Sequence, residues 1–268
     1  MVQQPRMFHF PASSCLGRNR HLDKSSISLE RPLASNVLLG RGPMSDISVT
    51  RHEKGAWTDE VFEALASLLG PGSGPGRMVL ENELLRCDLL YLARDAEGPC
   101  AFLLAARVRL PVGPERRQAR YLGLSVARSD GGAESVLERF TTDAREEEES
   151  GGMRLVLFTA ASSPVAVRTA QTFWADVQPA PDASFRAEVL PVADAARAWL
   201  GATGSVERPF VLPRLSGGGG DWRRRLDDAG SPAGELFRRL GIEQAEGDRL
   251  LLLCKVPGRE RLADAQAA

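Results

Sequence analysis

One stretch of the sequence, residues 121–140, constrains the fold more than any other. It reads YLGLSVARSDGGAESVLERF. Its first seven residues are a largely apolar run that predicts a β-strand, and Val136, Leu137 and Phe140 then recur at the spacing of one helix face. The turn between them, residues 128–133, presents backbone N–H groups at the positive end of the helix dipole. The stretch therefore predicts a strand–turn–helix unit whose turn suits a pyrophosphate group.

Composition excludes several kinds of site and partner. The net charge is -1, which gives no electrostatic reason to bind nucleic acid or an acidic membrane. The four cysteines form no CxxC pair, so we expect neither zinc nor a disulfide framework, and a reducing cytoplasm fits best. The last of the three histidines is His52, which excludes a histidine-based triad or metal site in the main body. No apolar run approaches the roughly 20 residues of a membrane helix.

The sequence divides into three segments of different character. Residues 1–43 are rich in Ser, Arg, Asn and Pro and show no sustained hydrophobic period, which predicts a disordered or extended N-terminal segment. Residues 44–257 alternate strand and helix patterns, which predicts one α/β domain. Residues 258–268 are expected to form a flexible tail.

Between residues 47 and 175 the patterns follow the order strand, helix, strand, strand, strand, helix, strand, helix. The strands at 88–94 and 100–110 are separated by a short turn, which predicts an antiparallel hairpin. The basic segment 111–120 then predicts a loop. The strand at 121 and the later strand at 153–159 flank a helix, so we expect them to be parallel neighbours.

The turn and the order of elements resemble those of one known family. The spacing Arg128-x-x-Gly131-x-Ala133 is similar to the Gln/Arg-x-x-Gly-x-Gly/Ala pattern of the GNAT superfamily of N-acyltransferases. The resemblance covers about half of the chain. It implies an α/β fold with a GNAT-like mixed twisted sheet of about seven strands and helices on both faces. GNAT proteins close with two strands soon after the last helix, so residues 176–247 resemble a C-terminal helical insertion.

The sequence departs from the family in the length of the turn. GNAT proteins usually place several residues between the last valine of the strand and the Arg or Gln. Here only Ala127 separates Val126 from Arg128. Either the strand ends earlier, near Leu124, or the turn is tighter than in the family.

The resemblance also implies a binding site for an acyl donor, acetyl-CoA or a longer acyl-CoA. The thioester would enter where the two parallel strands diverge, pair with free backbone groups of the first strand, and find there an N–H group that stabilises the oxyanion. The alternative for the glycines is an ordinary strand–helix turn. The residues implied for coenzyme A binding are Leu124, Ser125, Val126, Arg128, Gly131, Gly132, Ala133 and Ser162.

Three residues are candidates for catalysis. A neutral amine must lose a proton on attack, and Glu83, which with Glu81 precedes the first hairpin strand, is placed to accept it. Tyr121 is the candidate proton donor, because the helix that carries a tyrosine in many GNAT enzymes has Phe173 and Trp174 here. Ser163 is the third candidate. The alternatives are a solvated loop charge for Glu83, a core position for Tyr121 and a helix cap for Ser163.

These observations favour an N-acyltransferase that moves an acyl group to a small-molecule or peptide amine by direct attack. An acyl-carrier protein as donor and a homodimer as assembly stay open alternatives. A second hypothesis is a GNAT-like protein that binds coenzyme A without catalysis, which the missing helix tyrosine favours. A third is an unrelated α/β interaction protein in which the turn spacing is a coincidence.

Overall fold

The structure is a computed structural model that describes residues 47–70, 74–128, 130–202, 207–215 and 230–258. All of these lie within one of the two compact units of the chain, Pro43–Ala268. The strands are β1 (Ser48–Glu53), β2 (Leu89–Asp95), β3 (Gly98–Val112), β4 (Glu115–Ala127), β5 (Val156–Ala161), β6 (Ala175–Gln178), β7 (Val211–Leu212) and β8 (Arg249–Lys255). The helices are α1 (Asp59–Leu69), α2 (Gly74–Arg86), α3 (Asp130–Gly151), α4 (Pro164–Phe173), α5 (Leu190–Trp199) and α6 (Pro232–Arg239).

The eight strands form one mixed β-sheet in the order β1-β2-β3-β4-β5-β8-β6, and β7 pairs with β8. The first four strands are antiparallel, β4 and β5 are parallel, and β8 runs antiparallel to β5. The parallel pair is the one predicted from the strand–helix–strand pattern, and α3 is its crossover. The mixed α/β fold class is therefore confirmed, with one strand more than expected.

Helices cover both faces of this sheet. On one face α3 packs through Phe140, whose ring lies 5.7 Å from that of Tyr91. On the other face α5 packs through Trp199, whose ring centroid lies 4.9 Å from that of Tyr121. The two faces thus have separate aromatic clusters, and β4 contacts both α2 and α3.

The helix predicted after the turn is present, and its apolar stripe is buried as expected. Val136, Leu137, Phe140 and Ala144 of α3 all belong to the core. Burying a side chain of this size contributes on the order of 1.5–3 kcal/mol, so the stripe is enough to fix the helix on the sheet. None of the helices in the described ranges is long and apolar enough to cross a bilayer.

The loop predicted at residues 111–120 was wrong. β3 continues to Val112, Gly113 turns the chain with φ +60°, and β4 starts at Glu115. The strand was missed because its sequence does not alternate between polar and apolar residues: one of its arginines lies on the buried side. Arg120 is almost fully buried and forms an ion pair with Glu147 of α3, which gives its charge a partner inside the protein.

The other predicted segments were found in part. The predicted insertion, residues 176–247, contains α5, α6 and β7, and β8 follows it. The N-terminal segment 1–43 and, apart from Gly258, the predicted tail 258–268 lie outside the described residues.

Candidate functional site

The parallel strands β4 and β5 diverge at the end where a thioester site was expected. Their pairing runs from Ala119↔Val156 to Leu122↔Thr159 and then stops. β4 nevertheless continues to Ala127, paired on its other side with β3. Residues 123–127 therefore lie in the sheet with a strand on one side only, and on the β5 side their backbone groups have no partner among the described strands.

A β-bulge at the same level explains the divergence. The β3–β4 register places Leu103 opposite Ser125 but Ala105 opposite Leu122. Gly123 and Leu124 therefore share one partner position, and a bulge of this kind bends the strand and turns its backbone groups out of the ladder. At the last paired position the Thr159 hydroxyl donates a hydrogen bond of 2.8 Å to the Leu122 carbonyl, which closes the end of the paired region.

The carboxylate of Glu83 lies directly against this bulge. Residues 78–85 belong to α2, and this helix turns Glu83 inward while Glu81 remains exposed. A Cβ atom added at Gly123 would lie 2.3 Å from Glu83 Oε2. The Tyr121 hydroxyl donates to Glu83 Oε1 at 3.4 Å, and Arg86 Nη1 lies 3.7 Å from the same oxygen. The side chain of Glu83 is only 15% exposed.

Burial changes the proton affinity of both acidic groups in this cluster. It raises the pKa of Glu83, while the charge of Arg86 and hydrogen bonds from Tyr121 and from the backbone of Leu124 act in the opposite direction. Burial also raises the pKa of Tyr121 well above its ordinary value, and the neighbouring Glu83 raises it further. Tyr121 is therefore a protonated donor, and Glu83 is a carboxylate that binds a proton more readily than one in water.

Aromatic rings and a thiol surround the carboxylate. The Tyr121 ring lies between Phe158 of β5 and Trp199 of α5, at centroid distances of 5.3 and 4.9 Å. The Arg86 guanidinium lies over the Trp199 ring at 5.5 Å. The Cys87 sulfur is 3.9 Å from Glu83 Oε2, and burial raises the pKa of this thiol, so it is a neutral neighbour of the carboxylate.

The turn after β4 is the tighter of the two alternatives that the sequence left open. β4 stays paired with β3 as far as Ala127, and the N–H of Arg128 donates to the Cys100 carbonyl at 2.8 Å. α3 begins at Asp130. The side chain of Arg128 is nearly half exposed and lies 3.7 Å from Asp95 Oδ1.

The short turn moves the expected phosphate-binding residues into the helix. Gly131, Gly132 and Ala133 belong to the first turn of α3 and not to the connection before it. Gly131 is exposed and Gly132 is buried. The first N–H groups of a helix lie at the positive end of its dipole, and Gly131, Gly132 and Ala133 are all at that end of α3.

The two serines after β5 have different surroundings. Ser163 is the N-cap of α4, and its hydroxyl accepts from the Ala166 N–H at 3.4 Å. This is the capping role that the sequence left open for it. The Ser162 carbonyl accepts from Gln244 Nε2 at 2.6 Å, which ties the start of α4 to the insertion.

The structure adds residues that the sequence did not single out. Gly123 carried a signal, because a glycine inside a strand pattern indicates a bulge or a close approach. Arg86 and Cys87 follow Glu83 at the spacing of neighbours on one helix face. Trp199 carried no signal, because it reaches the site from the insertion. Among the described residues, no group of His, Cys, Asp and Glu side chains has the arrangement of a metal site.

Comparisons with known proteins give fold likenesses only. No family model and no curated protein matches the chain. A conserved protein of Enterococcus faecalis V583, described as a probable N-acyltransferase, has 14% identity, covers 48% of this chain and 32% of its own, and gives a TM-score of 0.35. This chain therefore spans about a third of that protein.

Two further structures are acetyltransferases. The ribosomal-protein-alanine N-acetyltransferase of Brucella melitensis biovar Abortus 2308 has 17% identity over 43% of this chain and 79% of its own, with a TM-score of 0.30. A GNAT family acetyltransferase of Elizabethkingia anophelis, with acetyl-CoA bound, has 16% identity over 49% of this chain and 78% of its own, with a TM-score of 0.30. Likenesses at this level do not define an activity or a substrate for this chain.

Proposed function

We propose that this chain is an N-acyltransferase that moves an acyl group from acetyl-CoA or a longer acyl-CoA to a small-molecule or peptide amine. One observation supports this function above the others. β4 and β5 diverge beyond Leu122, and the largely buried carboxylate of Glu83 lies against Gly123 at the point of divergence. An open strand edge beside a proton acceptor is what direct attack of an amine on a thioester requires.

The donor fits this end of the sheet in an extended form. Leu124, Ser125 and Val126 lie on the part of β4 that β5 does not pair with, so their backbone groups are proposed to pair with the amides of pantetheine. The first turn of α3, with Gly131, Gly132 and Ala133, is proposed to bind the pyrophosphate. Arg128, at the rim, would add its charge, and Ser162 would contact pantetheine.

The reaction then follows from the residues around the bulge. The amine nitrogen attacks the carbonyl carbon of the thioester, so that a C–N bond forms and the C–S bond breaks. Glu83 takes the proton from the attacking nitrogen. The N–H of Leu124 donates to Glu83 in the free protein, and it transfers to the carbonyl oxygen as that oxygen gains charge and Glu83 takes the proton. The sulfur leaves as a thiolate that takes a proton from solvent.

The other two candidates receive supporting roles. Tyr121 donates to Glu83 and is packed between two aromatic rings, so we propose that it positions the base. Ser163 holds the start of α4 through its cap, which fixes the second diverging strand and the helix after it.

One observation favours the second hypothesis, a protein that binds coenzyme A without turnover. The helix after β5 ends without a tyrosine that could protonate a leaving thiolate. Trp174 is buried and donates its indole N–H to the Thr141 hydroxyl at 3.1 Å, and Phe173 packs against the core. An inert protein would still bind the donor, so binding and turnover must be measured separately.

Thermal shift and thiol release separate the hypotheses. Acetyl-CoA, a longer acyl-CoA and free coenzyme A should each raise the melting temperature, because a ligand at 100 times its Kd adds about 2.7 kcal/mol of stability. Release of free thiol is then followed across a panel of amines. Binding without thiol release would support the inert protein, and no binding of any of the three would contradict both.

A pair of glycine variants on α3 locates the donor. Gly132→Leu should abolish binding, because a leucine side chain in the first turn of α3 would block the approach of the pyrophosphate. Gly151→Leu, at the other end of the same helix where nothing lies within 4 Å of an added Cβ, is the matched control and should bind normally. Unchanged binding by Gly132→Leu would refute the phosphate site.

A further inference from the structure

We propose that Gly123 positions the catalytic base because it has no side chain. The Glu83 carboxylate occupies the space that a Cβ atom at position 123 would need. This inference rests on the proposed acyl transfer and extends it to a residue with no functional group. A glycine can serve a strand either through its backbone freedom or through its lack of a Cβ atom. The two roles predict different results for an alanine substitution.

The backbone conformation does not account for this glycine. Seven glycines of the described chain have positive φ, from Gly98 at +115° to Gly113 at +60°, and Gly123 is not among them. Its φ lies where any residue is accommodated. The lack of a Cβ atom is therefore the property of glycine that matters at this position.

The space is taken by the cluster around the base. A Cβ atom at position 123 would lie 2.3 Å from Glu83 Oε2, and 3.1 Å from both the Cys87 sulfur and the Tyr121 ring. A distance of 2.3 Å cannot persist, whereas 3.1 Å requires shifts of a few tenths of an ångström. Of the three groups, only the carboxylate ends a flexible side chain, so it is the group that would move.

Displacement of the carboxylate changes its chemistry. Burial is the largest cause of the raised pKa of Glu83, so a carboxylate pushed toward solvent should lose part of that increase. It would also move away from Leu124 and from an amine that attacks at the strand edge. Gly123→Ala should therefore lower kcat at least tenfold, leave the KM for acyl-CoA within about twofold, and shift the acidic limb of the pH profile to lower pH.

A double-mutant cycle tests this directly. The variants are Gly123→Ala, Glu83→Gln and the two combined, and Gly55→Ala, where nothing lies within 4 Å of the added Cβ, is the matched control. If Gly123 acts through Glu83, the combined variant should be no slower than Glu83→Gln alone. The inference would be overturned if the fold loss in kcat of the combined variant equalled the product of the two single losses. It would also be overturned if Gly123→Ala had a normal kcat and pH profile.

A second measurement does not depend on turnover. Carbon NMR of labelled glutamate carboxyls should show a lower pKa for Glu83 in Gly123→Ala than in the unmodified protein, and an unchanged pKa would overturn the inference. If Gly123→Ala does not fold, the same comparison is made in a Cys87→Ala background, which removes the sulfur 3.1 Å from the new methyl group. Absence of thiol release by the unmodified protein would refute the proposed function while leaving this titration to decide the role of Gly123.

Discussion

The two faces of the sheet each bury a tyrosine beside a carboxylate, and the two pairs differ in how well the carboxylate is satisfied. On the α3 face, Asp143 accepts from the Tyr91 hydroxyl at 3.1 Å and pairs with Arg51 at 3.2 Å and Arg139 at 2.9 Å. On the α2 face, Glu83 has longer contacts, with the Tyr121 hydroxyl at 3.4 Å. Both carboxylates are largely removed from water.

The contrast separates a structural carboxylate from the proposed base. Two arginines and a hydroxyl fully engage Asp143, so it ties β1 and β2 to α3. Glu83 has the Arg86 cation at 3.7 Å and an open strand edge beside it, and burial raises its pKa. A largely buried acid whose pKa is raised by burial is a candidate for a catalytic base.

The largest expected difference between the pairs is in turnover. Glu83→Gln keeps the size of the side chain but cannot accept the proton, so kcat/KM should fall by about 10²–10⁴. Asp143→Asn should retain its kcat/KM once the folded fraction is taken into account. Thiol release with acetyl-CoA and the best amine of the panel measures both. Equal losses in the two variants would mean that the faces do not differ in function.

The second difference is in stability. Asp143→Ala leaves the buried Tyr91 hydroxyl without its acceptor and removes a partner of Arg51 and Arg139, so the free energy of unfolding should fall by about 2 kcal/mol. Glu83→Gln should cost far less, because the amide oxygen can still accept from Tyr121 and Leu124 while the unfavourable burial of a charge is removed. Urea denaturation of the two variants gives both values. A Glu83→Gln protein as destabilised as Asp143→Ala would show that Glu83 is structural.

The tyrosines provide a finer comparison. Tyr91→Phe should lower the free energy of unfolding by about 1 kcal/mol, the usual value of one buried hydrogen bond. Tyr121→Phe should cost less stability and act on the base instead. The Tyr121 hydrogen bond lowers the pKa of Glu83, so its loss raises that pKa and moves the acidic limb of the pH profile to higher pH. A limb that stays in place would contradict the contact.

The smallest expected effect is on the pH dependence of stability. The pKa of Glu83 is raised in the folded chain above the ordinary value of 4.5, so the folded state holds the proton more tightly than the unfolded state. Its stabilising effect is complete below the ordinary pKa and is lost as the pH rises through the folded value. Relative to Glu83→Gln, the unmodified protein should therefore be more stable at about pH 4 than at about pH 8. A constant difference between the two denaturation curves would exclude the raised pKa.

Local pattern predicted the elements that frame the site but not the contacts that complete it. The strand–turn–helix unit and the buried stripe of α3 follow from the short-range periodicity of apolar residues, which can be read from a single sequence. The strand at 115–120 did not, because a buried arginine paired across to α3 breaks the expected alternation of polarity.

The contacts around Glu83 depend on packing between distant segments. Its position before the first hairpin strand made it a candidate, but Gly123 and Tyr121 meet it from a distant strand, and Trp199 arrives from the insertion. No local pattern determines which helix face an insertion will cover. The bulge is an intermediate case, since a glycine inside a strand indicated it without fixing its register.

Amide hydrogen exchange with and without acetyl-CoA tests the central claim most directly. β4 is one strand, but within the described chain only its residues 119–122 pair with β5. Saturating acetyl-CoA should slow exchange of amides within 123–127 and leave those of 119–122 unchanged, because only the unpaired edge gains hydrogen bonds from the donor. Protection elsewhere without any change at 123–127 would show that the diverging strands do not bind the thioester.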